Sequence, residues 1–487
     1  MIALLASLFL TALCQAQPTT EWDRVVGVNA TKAFDCAHPG TAGAMHVLYG
    51  YEGPTNNPVI EARRYSALGD INWTYTLDID GRSVQPTRIV VDRYDNSYLS
   101  VIISNNGPTT TRVVKLDPLG QLVWFRDYIP EVAPSVIITA GAFFAFDSND
   151  NVIVALGRHR GSPSWDASDW VVEKISSGGI TQWLQTYSGI GGDVVYGVGV
   201  DAVGRIYVGG TTENLNEAGQ SLTVHHFVRR YATNGNVDWS QTHKGADDFA
   251  WMWAFLCDDE GNTFSVGTER ISGVSQYSVI GRSMASNGTL RWMTPIGTHP
   301  SYFEATKARL HEGWFIASSG DNAGRGRNSI LSTVGGSLQY LNEGFDRAFT
   351  NAIGVYDEIL LGEADNDGGW ACTIRSLSNP AEAPLWQLSD PTLPRSELEV
   401  DSLGGVWLFG HNAAGLTLRR LSNAPLAVAD TYVARQTHVL SVNASEGLLS
   451  NDRYVGTASL VEPPALGNLS LNADESFIYV PASGSYA

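Results

Sequence analysis

The 487-residue chain is 43% apolar and only 17% charged, with a formal net charge of −19 at pH 7. Such an acidic surface repels phosphate backbones, and no cluster of Lys or Arg offsets it, which argues against nucleic acid and anionic membranes as partners. With 50 Gly, 20 Pro, 14 Trp, 19 Tyr and 16 Phe, the composition favours a packed, turn-rich all-β protein over helices or disorder, and the length suits one large repeat domain with a small companion.

The chain opens with an uncharged apolar run, Ile2 to Leu13, followed by small residues around Cys14-Gln15-Ala16. This reads as a secretory signal peptide over residues 1–16, too short to span a bilayer. The large Leu13 before Cys14 disfavours a lipid anchor, so secretion with no membrane insertion is expected. Cleavage leaves Cys36, Cys257 and Cys372, far apart and without a C-x-x-C pair. That spacing is neither a disulfide framework nor a zinc signature, and the cysteines read as small buried hydrophobes.

Two half-motifs then alternate to residue 423, giving a repeat domain over 17–423. The first is strand, tight turn, strand: "IVVDRYDNSYLSV", "FAFDSNDNVIVALG", "VGVDAVGRIYVGGT", "AFLCDDEGNTFSVGT" and "LEVDSLGGVWLFG", with Asp92, Asp147, Asp201, Asp258 and Asp401 at one place. An aspartate there accepts backbone N–H bonds two residues on, while Gly or Asn takes the positive φ. Calcium would need alternating oxygen ligands after the aspartate, and none follow.

The second half-motif is an alternating strand carrying Lys or Arg ("RVVKLD", "VVEKIS", "FVRRYA", "LRRLSN"), a glycine turn, and a strand led by tryptophan, as in "YSALGDINW", "KLDPLGQLVW" and "YATNGNVDW". Period-two alternation puts the basic residues on outward ladder positions. The tryptophan strands begin at Trp22, Trp73, Trp124, Trp183, Trp239, Trp292 and Trp386, with Tyr340 standing in once, at intervals of 46 to 59 residues. A period near fifty with four short strands per unit signals a β-propeller, each indole packing on the adjacent blade. Seven units from Trp73 are followed by one that lacks its tryptophan strand. The N-terminal "TEWDRVVGV" is expected to complete it by pairing Glu21–Val28 antiparallel with Leu416–Ser422, giving eight blades; without that clasp the count would be seven.

The G-x-x-x-W element, clearest in "KLDPLGQLVW", resembles the tryptophan-docking motif of quinoprotein-like propellers. "DAVGRIYVGGT" is similar to the bacterial β-propeller repeat of secreted proteins. After Asn423 the pattern changes: "APLAVADTY", "EGLLSNDRY" and "LGNLSLNADESFIYVPASGSYA" resemble the cadherin-like or Ig-like modules of bacterial surface proteins. That resemblance implies a small β-sandwich fragment over 424–487, incomplete at its C-terminus. It does not carry the family's acidic calcium stretch, since "RYVGTASL" follows Asn451 and Asp452.

No constellation of chemistry rises above this scaffold. A quinoprotein dehydrogenase would need calcium ligands and commonly a vicinal cysteine pair, which the chain lacks, and the sialidase-type S-x-D-x-G-x-T-W box does not fit the spacing of "KLDPLGQLVW". His225-His226 lies in the strand "TVHHFVRRY", where neighbours face opposite ways and do not chelate one metal. Arg158, His159 and Arg160, in "GRHRG", follow a strand end where binding loops emerge. No catalytic, cofactor or metal residue is assigned. The expectation is a monomeric, secreted or cell-surface structural or binding protein with glycan or protein ligands, the alternative being an extracellular polysaccharide-acting hydrolase or lyase.

Overall fold

The computed structural model describes residues 18–482 except 28, 32–34, 53–57, 80–81, 105–108, 130–140, 160–167, 190, 216–220, 274–275, 300–302, 322–325, 345–349, 356–357, 365–369, 382–383, 390–394, 423–431, 435–437, 449–459, 461, 473 and 475. The signal-peptide expectation over 1–16 and the Asn451-Asp452 pair lie outside the described residues. The chain forms two compact units, Thr20–Leu421, and Met1–Thr19 with Ser422–Ala487.

In the second unit a three-stranded antiparallel sheet places Phe477–Val480 between Leu440–Val442 and Asn468–Leu471. Its small core gathers Val442, Leu448 and Phe477.

The larger unit is eight four-stranded antiparallel sheets among the described residues, in chain order over 37–78, 83–128, 143–187, 193–243, 250–299, 303–344, 350–388 and 395–421. Thr20–Gly27 supplies the eighth sheet's fourth strand, with Trp22 opposite Arg420 and Arg24 opposite Leu418. This is the expected clasp. Each sheet packs on the next, and the eighth packs on the first. Glu397 of the eighth sheet accepts N–H bonds from Cys36 (2.8 Å) and Ala37 (2.7 Å) across that joint.

The repeated residues make the joints between sheets. The indole of Trp183 donates from Nε1 to the Thr233 carbonyl of the following sheet (3.0 Å), and a Cβ on Gly235 would stand 2.7 Å from its ring. Trp22, Trp124, Trp239 and Trp292 donate in the same way to Ala67, Ser177, Ser286 and Thr333. Trp73 lies on Gly120 of the next turn, and Tyr340 lies under the Arg375 guanidinium at 4.5 Å. Trp386 opens its strand, its side chain outside the described residues. The turn glycine therefore has two duties: a positive φ, +88° at Gly235, and a bare face for the preceding sheet's indole.

The turn aspartates accept from the backbone N–H groups two and four residues on: Asp92 Oδ1 from Tyr94 and Asn96, Asp147 from Asn149 and Asn151, Asp201 from Val203 and Arg205, Asp401 from Leu403 and Gly405. Asp258 holds the N–H of Asn262. The positive φ was expected of Gly or Asn, yet Asp95 (69°) and Asp150 (61°) carry it in two turns. Aspartate tolerates this region because its short side chain bonds locally.

One expectation is corrected. The basic residues of the third strands do not form an outward ladder. Lys115, Lys174, Arg282, Arg419 and Arg420 are buried, and the sheets supply their counter-groups: Lys174 Nζ lies 2.7 Å from Asp147, Arg420 Nε 2.9 Å from Asp401, and Lys115 Nζ 2.9 Å from the Ser177 carbonyl. Both faces of a propeller sheet are covered by neighbours, so alternation does not separate inside from outside.

Candidate functional site

The antiparallel meander sorts the connections by face. First-to-second and third-to-fourth turns share one end of every sheet, while second-to-third loops and the links to the next sheet share the other. The aspartate and glycine turns are all on the first face. The second carries the longer loops, where binding residues concentrate.

The first strand of each sheet is innermost. Lys307 and Arg309, in Phe303–His311, both reach Glu399 of Arg395–Val400 two sheets on, at 2.5 Å and 2.6 Å. Arg309 also reaches the Asn351 carbonyl of the sheet between, at 3.3 Å. Non-adjacent sheets approach so closely only beside the ring's axis. Asp35, Arg88 (2.9 Å) and the Phe143 ring, 3.9 Å from the Arg88 guanidinium, extend the network through the first three sheets. Burial raises the Glu399 carboxyl, but Arg309 and Lys307 outweigh it and hold it below its ordinary range. These charges satisfy one another, so the network braces the ring.

Ser97, His46 and Asp95 also group like a nucleophilic triad, with His46 Nδ1 2.9 Å from Ser97 Oγ and Nε2 3.4 Å from Asp95. All three are buried between the first two sheets. A hydroxyl sealed there meets no substrate, and the trio is packing.

The loop face of the fifth sheet is different. "FAWMW", residues 249–253, enters that sheet's first strand with Ala250 and Met252 buried and Phe249, Trp251 and Trp253 half-buried. The pairing ladder skips Trp253 at a bulge between Met252 and Ala254, and skips Tyr196 at the matching bulge between Val195 and Gly197 in the fourth sheet. Both stand five residues before their turn aspartates, Asp201 and Asp258. A bulge re-aims its side chain, and here two neighbouring sheets aim theirs at each other: Tyr196 and Trp253 meet edge to face at 5.5 Å. Trp251 stacks on Trp253 (5.3 Å, 23°), Phe249 follows at 6.4 Å, and Tyr277 lies 5.7 Å beyond Phe249.

Five rings thus run as one band, and Phe249, Trp251, Trp253 and Tyr277 belong to none of the described core clusters. Their polar atoms are tethered: Trp251 Nε1 donates to Tyr196 Oη (2.9 Å) and Trp253 Nε1 to Thr268 Oγ1 (2.9 Å). His226 braces the band from behind, its Nε2 2.8 Å from the Trp251 carbonyl and its Nδ1 2.6 Å from Arg282 Nη1. Arg282 has only protons to give, so Nδ1 accepts and Nε2–H donates. Burial and the Arg282 charge hold His226 neutral, far below its ordinary pKa. Arg282 continues to Glu269, which lies 2.9 Å from His243 Nε2. His225 turns the other way, 3.8 Å from Asp248.

The sequence reading missed this band. Its signal was available in "FAWMW" and in the aromatic residues five positions before two turn aspartates. The residues singled out instead, Arg158 and His159, end a strand opposite Asp169 and Ser168 in the third sheet, on the same loop face. The His159 side chain and Arg160 lie outside the described residues. Among the described residues no group of three or more His, Cys, Asp or Glu is placed to hold a metal ion.

Four-stranded meanders packed in succession, the last on the first, with their loops sorted by face, define a protein of the β-propeller type. No family model matches the chain, and no curated protein matches it. Solved structures similar to it include a europium-containing methanol dehydrogenase (11% identity, TM-score 0.47, covering 82% of this chain and 93% of that one). The computationally designed Ika8 protein (14%, 0.44, 80% and 97%) and the polysaccharide lyase Uly1 (9%, 0.45, 80% and 89%) are others.

Proposed function

We propose that the eight sheets are eight blades of a secreted or cell-surface propeller that binds glycans along the band from Tyr196 to Tyr277, and that residues 424–487 belong to an Ig-like surface module. One observation carries the glycan reading: five half-buried rings in successive contact on the loop face, with both indole N–H groups tied down and Phe249, Trp251, Trp253 and Tyr277 outside the described core clusters. Aromatic faces recognise the C–H faces of pyranose rings through dispersion and weak C–H contacts while surface water still reaches the hydroxyls. The acidic surface and the apolar leader-like segment at residues 2–13 support an extracellular setting.

Titration calorimetry with cellohexaose, laminarihexaose and hexagalacturonate tests this. Trp251→Ala and Trp253→Ala should each weaken binding about tenfold, as loss of one stacked ring implies. Binding unchanged in both variants would remove the band from the site. A second reading, polysaccharide cleavage, draws on His243, 38% exposed and bonded to Glu269 behind the band. New reducing ends or unsaturated products on incubation with the same oligosaccharides, lost in His243→Gln, would favour it.

A further inference from the structure

The band ends at a cation whose position bears on which glycans it selects, an inference that rests on the glycan reading above. The chain has 31 Lys and Arg against 50 Asp and Glu, and most of its described guanidinium groups are taken up by carboxylates: Arg64 by Asp95, Arg88 by Asp35, Arg112 by Asp127, Arg205 by Asp201, Arg309 by Glu399. Arg270 departs from this. It ends the second strand of the fifth sheet, is exposed, and makes no ion pair among the described residues. Its guanidinium lies over two rings of the band, 5.3 Å from the Phe249 centroid and 5.9 Å from that of Tyr277.

We propose that the band takes a glycan bearing an acidic group, a uronate carboxylate or a sulfate, and that Arg270 binds that group at the Phe249–Tyr277 end. The two rings hold the cation in place, and its N–H edge remains for a ligand. That edge offers parallel donors matched to the oxygens of a carboxylate or sulfate, and a positioned fork loses less freedom per bond than a mobile lysine would. The backbone supports the placement, since the Arg270 N–H donates to the Phe249 carbonyl at 3.3 Å.

The opposing force is the protein's own negative charge. Screening over about 8 Å at physiological ionic strength removes most of the distant part. Nearby are two exposed carboxylates, Asp247, which accepts from Ser272 Oγ at 3.0 Å, and Asp248, 3.8 Å from His225. Lys244, also exposed, adds a cation beside them. A direct guanidinium–anion contact outweighs two carboxylates at longer range, because the contact adds charge-assisted hydrogen bonds to the Coulomb term.

The test is calorimetry on the full chain with three probes of equal length: hexagalacturonate, a sulfated carrageenan hexasaccharide, and neutral cellohexaose. At least one acidic probe should bind tenfold or more tighter than cellohexaose and weaken with added salt. Arg270→Gln should lower acidic binding to the neutral level without moving neutral binding, whereas Trp251→Ala should weaken both. Whichever acidic probe responds to Arg270→Gln identifies the group as carboxylate or sulfate. Equal affinity for neutral and acidic probes, or acidic binding indifferent to Arg270→Gln, overturns the proposal; if Trp251→Ala still weakens binding, the glycan site stands without it. No binding by any probe overturns both. An unchanged thermal melt confirms that the exposed substitution leaves the fold intact.

Discussion

Trp22 lies on Gly69: a Cβ at that glycine would stand 2.7 Å from the indole, while Trp22 Nε1 donates to the Ala67 carbonyl at 2.9 Å. The contact joins the chain's first strand to the first sheet, and Trp22 also meets Trp407 edge to face at 4.9 Å. It closes the ring. Trp22→Ala should therefore lower the unfolding free energy by about 3 kcal/mol, the low end for a core aromatic because the indole is only half-buried. Urea denaturation checks this, and a loss below about 1 kcal/mol would mean the clasp is ornamental to stability.

Adjacent glycines in the third sheet separate two effects. Gly179 has φ +88° and faces Trp124, 2.8 Å from where its Cβ would be, whereas nothing lies within 4 Å of a Cβ on Gly178. Gly179→Ala should cost about 2 kcal/mol from backbone strain and displaced indole. Gly178→Ala should be neutral or stabilise by up to about 1 kcal/mol through the unfolded state. Paired denaturant midpoints decide it, and equal effects would refute the docking role.

Two aspartate turns should respond differently. Asp401 holds the Leu403 and Gly405 N–H groups with one oxygen and Trp407 Nε1 (2.6 Å) and Arg420 Nε (2.9 Å) with the other, the last three bonds buried. Asp117, among the described residues, holds only the N–H groups of Leu119 and Gln121, at the surface. Asp401→Ala removes the buried partner of Trp407 Nε1 and Arg420 Nε, while Glu21 still pairs with Arg420 Nη1, and should cost about 3 kcal/mol, the low end for a broken buried pair; Asp117→Ala should cost about 1 kcal/mol. Comparable losses in the thermal melts would contradict the burial argument.

Stability should fall in two steps on acidification. His226 is held neutral by burial and Arg282, so its folded pKa is below the unfolded value near 6.5; the unfolded chain takes the proton first, and stability declines as pH drops below about 6.5. For Glu399 and Asp35, burial raises the carboxyl, but Arg309 and Lys307 (Glu399) and Arg88 (Asp35) more than offset it. Their contribution is complete above the unfolded values near 4 and is lost as pH falls through the folded ones. Denaturant titrations between pH 8 and pH 3 should show both declines, roughly in those windows. Glu399→Gln should reduce the lower one; a single step near pH 4 would exclude the His226 contribution.

The sheets are legible in the amino-acid order alone. A turn aspartate and a glycine before tryptophan, recurring every fifty residues or so, encode local geometry: carboxylate-capped turns, positive φ and period-two strands need only near neighbours. The missing tryptophan strand of the last unit even pointed to Glu21–Val28 as its partner, one residue off the observed Thr20–Gly27. What the sequence did not reveal depends on which sheet faces which. Lys174 and Arg420 alternate like surface residues, yet they are buried because a neighbouring sheet covers them. Phe249, Trp251 and Trp253 are visible as a pattern in the chain, but their continuation into Tyr196 depends on two bulges at one offset in adjoining sheets. Arg270 and Tyr277 reach Phe249 only through pairing with separate strands. Strand pairing within the fifth sheet and its packing on the fourth made these neighbours, because such contacts join residues tens of positions apart and no local preference specifies them.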